Sequence, residues 1–425
     1  MKYSKISESL FIKNRNKLIE LLPVNSIAVV NSNDQMPRNG DQFFGYRQHS
    51  DFFYLTGIEQ EKSVLILSPS NEFQETLFIL KPEKKLEIWE GHKLTKEEAK
   101  AISGIEHVKY LSEFEFCLKD SALKKEFIFL NDNEYSKFST PVPYKDIRFI
   151  NEIKGKFPLH TIKRLAPVLT ELRLVKEPEE IELMRKACEI TSNTFQKVLQ
   201  FIKPGVKEYE IEAEITREFI RNGANGHAYE PIIASGKDNC ILHYVKNDKI
   251  CREGDLVLMD FGAEYANYSA DTTRTVPVSG KFTKRQKEVY NSVLNVMKKT
   301  IKLMIPGKTI NSINSAVDKM IEEELIILGL ANSEEMKNKE KRDAVRMKYF
   351  MHGNSHFMGL DVHDVGNKDT VFKAGMVMSC EPGIYIEEEG FGIRLENDIL
   401  ITEGEPIDLL AHEPIEPDEI EKLMQ

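Results

Sequence analysis

The chain has 425 residues, 41% of them apolar and 30% charged, with a net charge of −10 at pH 7. That apolar content supports two sizeable cores. The acidity is spread and no basic block stands out, which argues against a nucleic-acid partner, and no apolar run reaches the ~18 residues of a membrane helix. Segments 25–33, 63–69, 75–82 and 126–132 read as buried strands, and 18–23 and 95–103 as helix pieces. Together they predict an α/β domain. The start of the chain is charged and amphipathic and lacks the apolar core of a signal peptide. Five scattered cysteines (117, 188, 240, 251, 380) with no CxxC pair fit reduced thiols in the cytoplasm. Cys380 reads as a core residue of a strand.

Residues 151–178 bridge to a second domain, giving expected boundaries of 1–170 and 171–425. Pro178, Glu179 and Glu180 suit a first helical turn. Beyond them runs a faint internal repeat. Each copy is a long amphipathic helix, a Pro-Gly stop and a second helix, with the stops at 204–205 and 306–307. Ile181, Met184, Cys188 and Phe195 mark the apolar stripe of the first copy. Val289, Val293, Met297, Ile301 and Met304 mark that of the second. An acid-bearing hairpin follows each copy. The charge-dense segment 332–348 reads as a solvated insertion.

The hairpins carry the chemistry. Asp260 lies in "GDLVLMDFGAEY" and Asp271 in "ANYSADTTRT", both strand-like. A tight turn at Tyr265-Ala266 would set the two carboxylates directly opposite each other, roughly 4.5–5.5 Å apart at Cβ. Like charges so placed require a shared proton or a metal ion. In "GMVMSCEPGIYIEEEGFGIRLENDILIT" a turn near Glu388-Glu389 would pair Glu381 with Glu396 in the same way, although bulges at the glycines and Pro382 could shift that pairing. Between the hairpins, "YFMHGNSHFMGLDVHDVG" supplies His352, His356 and His363. Gly353 and Gly359 argue against a helical zinc motif, so His352 is expected to support the site and not to ligate. Asp361 and Asp364 flank His363, and at least one is expected to orient an imidazole. Carboxylates with imidazole suit Mn²⁺, Fe²⁺, Co²⁺ or Zn²⁺. Four carboxylates exceed the needs of one ion, which points to two ions and to hydrolysis at a polarised carbonyl or phosphoryl group.

These motifs resemble the metallopeptidase family that includes aminopeptidase P, prolidase, methionine aminopeptidase and creatinase. The family is built on the pita-bread fold. The resemblance implies an α/β N-terminal domain followed by an α+β pita-bread domain, with two αα-β-hairpin halves about a pseudo-twofold. It implies metal ligation by Asp260, Asp271, His356, Glu381 and Glu396. His243, His363 and Arg394 resemble residues on the substrate side of the metals or behind them. Tyr385 resembles a hydroxyl that bonds a ligand carboxylate. Segments 46–58 ("YRQHSDFFYLTGI") and 87–91 ("EIWEG") are most similar to aminopeptidase P. Trp89 would line a substrate pocket across a subunit interface, or simply anchor a loop. Phe357 departs from the family, where many relatives carry Trp, and is expected to alter packing only.

The expected activity is therefore removal of the N-terminal residue from peptides with proline second, with two divalent ions, Mn²⁺ first and Co²⁺ or Zn²⁺ possible. Glu381 would carry protons, His243 and His363 would steady the carbonyl, and Arg394 would orient the ligand carboxylates. The proline preference comes from the resemblance alone. A homodimer or homotetramer is expected, without membrane or nucleic-acid partners. The rivals are a prolidase restricted to dipeptides, a catalytically silent binding protein, and a phosphoesterase. The last should bring more cations to the site than Arg274 and Arg394.

Overall fold

The computed structural model describes residues 3–425, which divide into a unit spanning Ser4–Arg173 and a second formed by Leu174–Gln425 together with Tyr3. In the first, six strands run in the spatial order Val108–Tyr110, Glu75–Ile79, Val64–Leu67, Ser26–Asn31, Phe127–Leu130, Thr161–Arg164. The strands expected from apolar runs are the four central ones. The outer two are short and partly exposed, so they lack the continuous apolar run that marks a buried strand. Ile27, Val29, Ile66, Phe78 and Ile128 pack against Phe114, Leu118, Phe149 and Ile153 from flanking helices. The expected helix piece at 18–23 is the end of a longer helix, Glu8–Leu21, capped by Ser7. Segment 46–58 folds around a buried short helix, Ser50–Thr56, closed by Gly57 at φ +67°. An added Cβ at Gly57 would lie 2.3 Å from the Phe11 ring.

The second unit contains the repeat. Helices Pro178–Phe201 and Glu208–Arg221 flank the first Pro-Gly stop, and Lys284–Ile301 and Ile310–Ile327 flank the second. Pro178 opens its helix, and Glu180 reaches back to the Glu177 N–H. Each pair is followed by a three-stranded sheet. One is Ile232–Ser235, Leu256–Phe261 and Thr272–Pro277; the other is Val377–Cys380, Asn397–Leu400 and Ile407–Asp408. The insertion forms two helices, Ser333–Lys337 and Lys339–Tyr349.

The two hairpins treat the expected registers differently. In the second, Cys380 pairs with Asn397 and Gly383 with Arg394. Glu381 and Glu396 therefore fall opposite each other at the break made by Pro382, as expected. In the first, the turn lies one residue later than expected. Ala266 and Asn267 take the left-handed conformation (φ 52° and 65°), and Tyr265 pairs with Tyr268. Such a two-residue turn needs positive φ at both central positions, and Asn tolerates this better than Tyr. Asp260 consequently faces Thr273, not Asp271. The register moves by two residues, which keeps both acids on one face. Asp271 then sits in the gap between Tyr268–Ser269 and Thr272–Pro277.

Candidate metal centre

Three of the four acids, Asp271, Glu381 and Glu396, stand where a strand is interrupted, and their backbone N–H groups leave the ladder for other partners, whereas Asp260 lies within the strand Leu256–Phe261. Asp271 N–H donates to Asp398 Oδ2 (3.0 Å), Glu381 N–H to Asn354 O (2.9 Å) and Glu396 N–H to Thr273 O (3.1 Å). The Thr273–Glu396 bridge joins the two hairpins. Arg274, fully buried, clamps the same seam. It donates to Glu396 O (2.7 Å), Thr273 O (3.0 Å) and Asn397 Oδ1 (2.7 Å) and pairs with Glu413. This Arg274 is structural and does not reach toward the cleft.

His356 lies at the focus. Its Nδ1 faces Phe357 O at 3.2 Å, which directs Nε2 toward Asp271 Oδ2 (3.4 Å), Glu381 Oε1 (3.7 Å) and Glu396 Oε1 (3.9 Å). Among the described residues, Asp271, His356 and Glu396 form the group whose ligand atoms are all within 4.8 Å of one another. Glu381 lies beside them, its Oε1 accepting from Ser379 Oγ (3.3 Å). Asp260 is tied in through Tyr229, whose hydroxyl donates to Asp260 Oδ1 (2.6 Å) and also reaches Asp271 Oδ1. Arg394 Nη2 donates to Asp260 Oδ2 at 2.5 Å.

Burial drives the electrostatics. It raises Asp260 and lifts Glu396 far above the carboxylate range, with Asp271 adding repulsion to both. Burial likewise takes Glu381 to about 7, against the lowering pull of His356 and Arg394. Burial alone would lower His356. The hydrogen bond to Asp271 and the charges of Glu381 and Asp271 hold it at about 9 instead. Without an ion, then, the centre must take up protons to relieve its negative charge. A divalent cation relieves it without them, and this carboxylate-and-imidazole donor set fits hard to borderline divalent ions.

Among the remaining residues the bond expected of Tyr385 is not made. Arg394 is 4% exposed and also donates to Tyr385 Oη (3.2 Å) and Thr273 Oγ1 (3.1 Å). Tyr385 Oη is bonded to His352 Nε2 (2.7 Å) and Arg394, so it does not bond a carboxylate. Tyr229 does that instead, and Arg394 stands between Tyr385 and Asp260, bonding the first through Nη1 and the second through Nη2. The His352 side chain is 15% exposed, with Nδ1 3.8 Å from Glu381 Oε2. Burial and the nearby Arg394 press it down to about 3. The His363 ring stands edge-on to His356, centroids 4.4 Å apart. His243 lies in an exposed turn within electrostatic range of His352. Cys380 is a buried thiol beside Asn354, as a core residue should be.

Sequence reasoning missed Tyr229, Thr273 and Asp398. Asp398 is fully buried and accepts from both Asp271 N–H and Cys188 Sγ (3.4 Å). An acid two residues beyond Glu396, inside an apolar strand, was the available signal. Tyr229 had none, because its role depends on the pairing of Ile232 with Asp260.

A carboxylate-rich centre on the seam between two αα-β halves, in a chain that opens with an α/β domain, defines a pita-bread metallopeptidase. Residues 182–403 match metallopeptidase family M24 and residues 11–129 match the aminopeptidase P N-terminal domain. The chain belongs to the aminopeptidase P group of family M24. It is 35% identical to the Xaa-Pro aminopeptidase of Escherichia coli, over 99% of this chain and 98% of that one. The fold superimposes on zinc-substituted Escherichia coli aminopeptidase P in complex with product (TM-score 0.89, 34% identity, 99% of each chain). It also superimposes on that enzyme with the inhibitor Pro-Leu (TM-score 0.89, 35% identity, 99% of each chain).

Proposed function

We propose that this metallo-exopeptidase is an Xaa-Pro aminopeptidase, cleaving the N-terminal residue from peptides with proline in second place, and that its centre holds two divalent ions, Mn²⁺ by preference. The observation that carries the reading is the convergence of Asp271, His356 and Glu396 beside Glu381, in a chain alike over its length to Xaa-Pro aminopeptidases. Asp260, Asp271, His356, Glu381 and Glu396 would together hold the ions. When bound, the ions supply Lewis acidity toward water and the scissile carbonyl.

The protein's own groups do the rest. Glu381 takes a proton from the attacking water on a carboxylate oxygen and delivers it to the leaving nitrogen. A prolyl nitrogen carries no hydrogen, so it must gain one before leaving as an amine. His363 and His243 steady the substrate carbonyl and its developing negative charge. Arg394 holds Asp260 in the orientation set by its 2.5 Å contact. The substrate amine lies near Asp260, which restricts cleavage to the chain end.

A prolidase needs a cation for the free carboxylate of a dipeptide's proline. Arg394 is committed to Asp260, Tyr385 and Thr273, which favours longer substrates. The exposed Ile88 and Trp89 (80% and 87%) of the N-terminal unit accord with a homodimer or homotetramer. All five cysteines are free thiols, in keeping with the cytoplasm, and no helix among the described residues is long and apolar enough to cross a membrane. The deciding experiment is hydrolysis of Arg-Pro-Pro beside Ala-Pro by metal-stripped protein with Mn²⁺ restored. Metal-dependent cleavage of the tripeptide is expected. Cleavage of the dipeptide alone would make the protein a prolidase, and silence on both with metal bound would refute the proline specificity.

A further inference from the structure

Lys176 and Asp364 form an ion pair at 3.1 Å whose side chains are each 1% exposed. Such a pair carries a large desolvation cost and is weak evidence for stability, because well-packed apolar groups often serve a fold as well. Its position suggests another reason for it. Asp364 ends the loop that starts at His356 and carries His363. Its N–H donates to Phe357 O at 2.9 Å. The same carbonyl faces His356 Nδ1 at 3.2 Å. Whatever fixes Asp364 therefore fixes the group that turns His356 Nε2 toward the acids.

Four further observations place the pair against the loop and its surroundings. An added Cβ at Gly359 would lie 2.1 Å from Asp364 Oδ2 and 2.9 Å from Lys176 Cε, so the pair presses directly on the loop backbone. Gly359 O accepts from Ser269 N–H (2.9 Å), which ties the loop to the Asp271 hairpin. The other buried acid near Lys176, Glu180, is engaged by Tyr268 Oη (2.9 Å) and Glu177 N–H (2.8 Å). Lys176 itself is anchored by its backbone N–H to Gly375 O (2.9 Å).

We infer that Lys176 and Asp364 are positioning residues: acting through the Phe357 carbonyl, they hold the 356–364 loop so that His356 is aimed at the metal site and His363 stands beside it. The inference rests on the reading of His356 as a metal ligand. Outer partners of metal-bound histidines typically contribute about 10–100-fold in metal affinity or activity.

The test replaces the pair by apolar groups of similar size, K176M/D364L, in the full chain. Melting of the metal-free protein, Mn²⁺ binding by calorimetry and kcat on Arg-Pro-Pro are all measured. The expected result is a folded protein with a metal-free Tm close to wild type, Mn²⁺ bound about tenfold more weakly, and kcat lowered about 10–100-fold. A pair that only stabilises the fold would move the metal-free Tm and leave Mn²⁺ affinity unchanged. Wild-type Mn²⁺ binding and turnover in K176M/D364L would overturn the inference. Should that variant not fold, Asp364→Asn keeps the shape and the backbone N–H: weakened Mn²⁺ binding supports positioning, and unchanged binding and kcat refute it. Absence of Mn²⁺ binding by the wild type would instead refute the metal reading on which the inference stands.

Discussion

Thr273 and Glu396 are bonded to each other twice. Glu396 N–H donates to Thr273 O at 3.1 Å, and Thr273 Oγ1 donates to Glu396 Oε2 at 2.6 Å. One threonine thus joins the two hairpins and orients a carboxylate of the centre. Thr273→Val keeps the shape and removes the hydroxyl. We expect kcat to fall about 10–100-fold with far-UV circular dichroism unchanged, while Thr273→Ser stays within a few-fold of wild type. Equal activities of the Val and Ser variants would show that the hydroxyl has no part in aiming Glu396.

Tyr229 should matter most when no metal is present. Its hydroxyl lies within hydrogen-bond reach of both Asp260 and Asp271 and shares its one proton between them, two acids that otherwise repel each other. Tyr229→Phe leaves their oxygens without that donor, a loss of about 1–3 kcal/mol for buried groups. Added Mn²⁺ would relieve the same repulsion between the acids, so the stability gap to wild type should narrow in metal-loaded protein. Denaturant unfolding of both proteins with and without Mn²⁺ checks this. A gap that is the same in both conditions would contradict it.

Gly262 marks the point where the first hairpin is pinched between its two acids. A Cβ there would lie 1.7 Å from the carbonyl oxygen of Ala270, a contact with backbone that cannot move aside cheaply. Gly262→Ala is expected to cost about 3 kcal/mol or more and to weaken Mn²⁺ binding, since Asp260 and Asp271 lie on opposite sides of the pinch. Gly155→Ala, in the helix Lys145–Lys156 with open space around it, is the control and should be neutral or slightly stabilising.

His227 gives a pH dependence separate from catalysis. It packs edge-on against Phe219 (5.1 Å), its Nε2 lies 2.8 Å from Thr216 Oγ1, and burial lowers it to about 4. The unfolded chain protonates a histidine near pH 6.5. The folded state therefore holds its full stability above about pH 6.5 and loses it as pH falls toward 4, by roughly 3 kcal/mol from this group. His227→Gln should flatten that part of the stability curve. Parallel acid slopes for the variant and the wild type between pH 7 and 4.5 would rule the histidine out as their source.

Glu381→Ala should abolish hydrolysis and leave the fold intact, because Glu381 is held through its backbone N–H to Asn354 O and its side chain is the proposed proton carrier. A fully active variant would overturn its assignment.

The sequence by itself determined which acids and imidazoles are available, the helix–Pro-Gly–helix repeat, and the facing of Glu381 and Glu396. Those features depend on periodicity and turn residues only a few positions apart. It did not place the turn at Ala266-Asn267, because the choice between adjacent turns depends on how well Asn267 bears a left-handed backbone and on the pinch at Gly262. Tertiary structure alone decided that Tyr229, and not Tyr385, links the carboxylates. It alone brought Asp398 under Asp271, 127 residues apart, and Lys176 onto Asp364, 188 residues apart. A buried acid must find its donor wherever packing puts one, and no local pattern in a chain records which distant segment that will be.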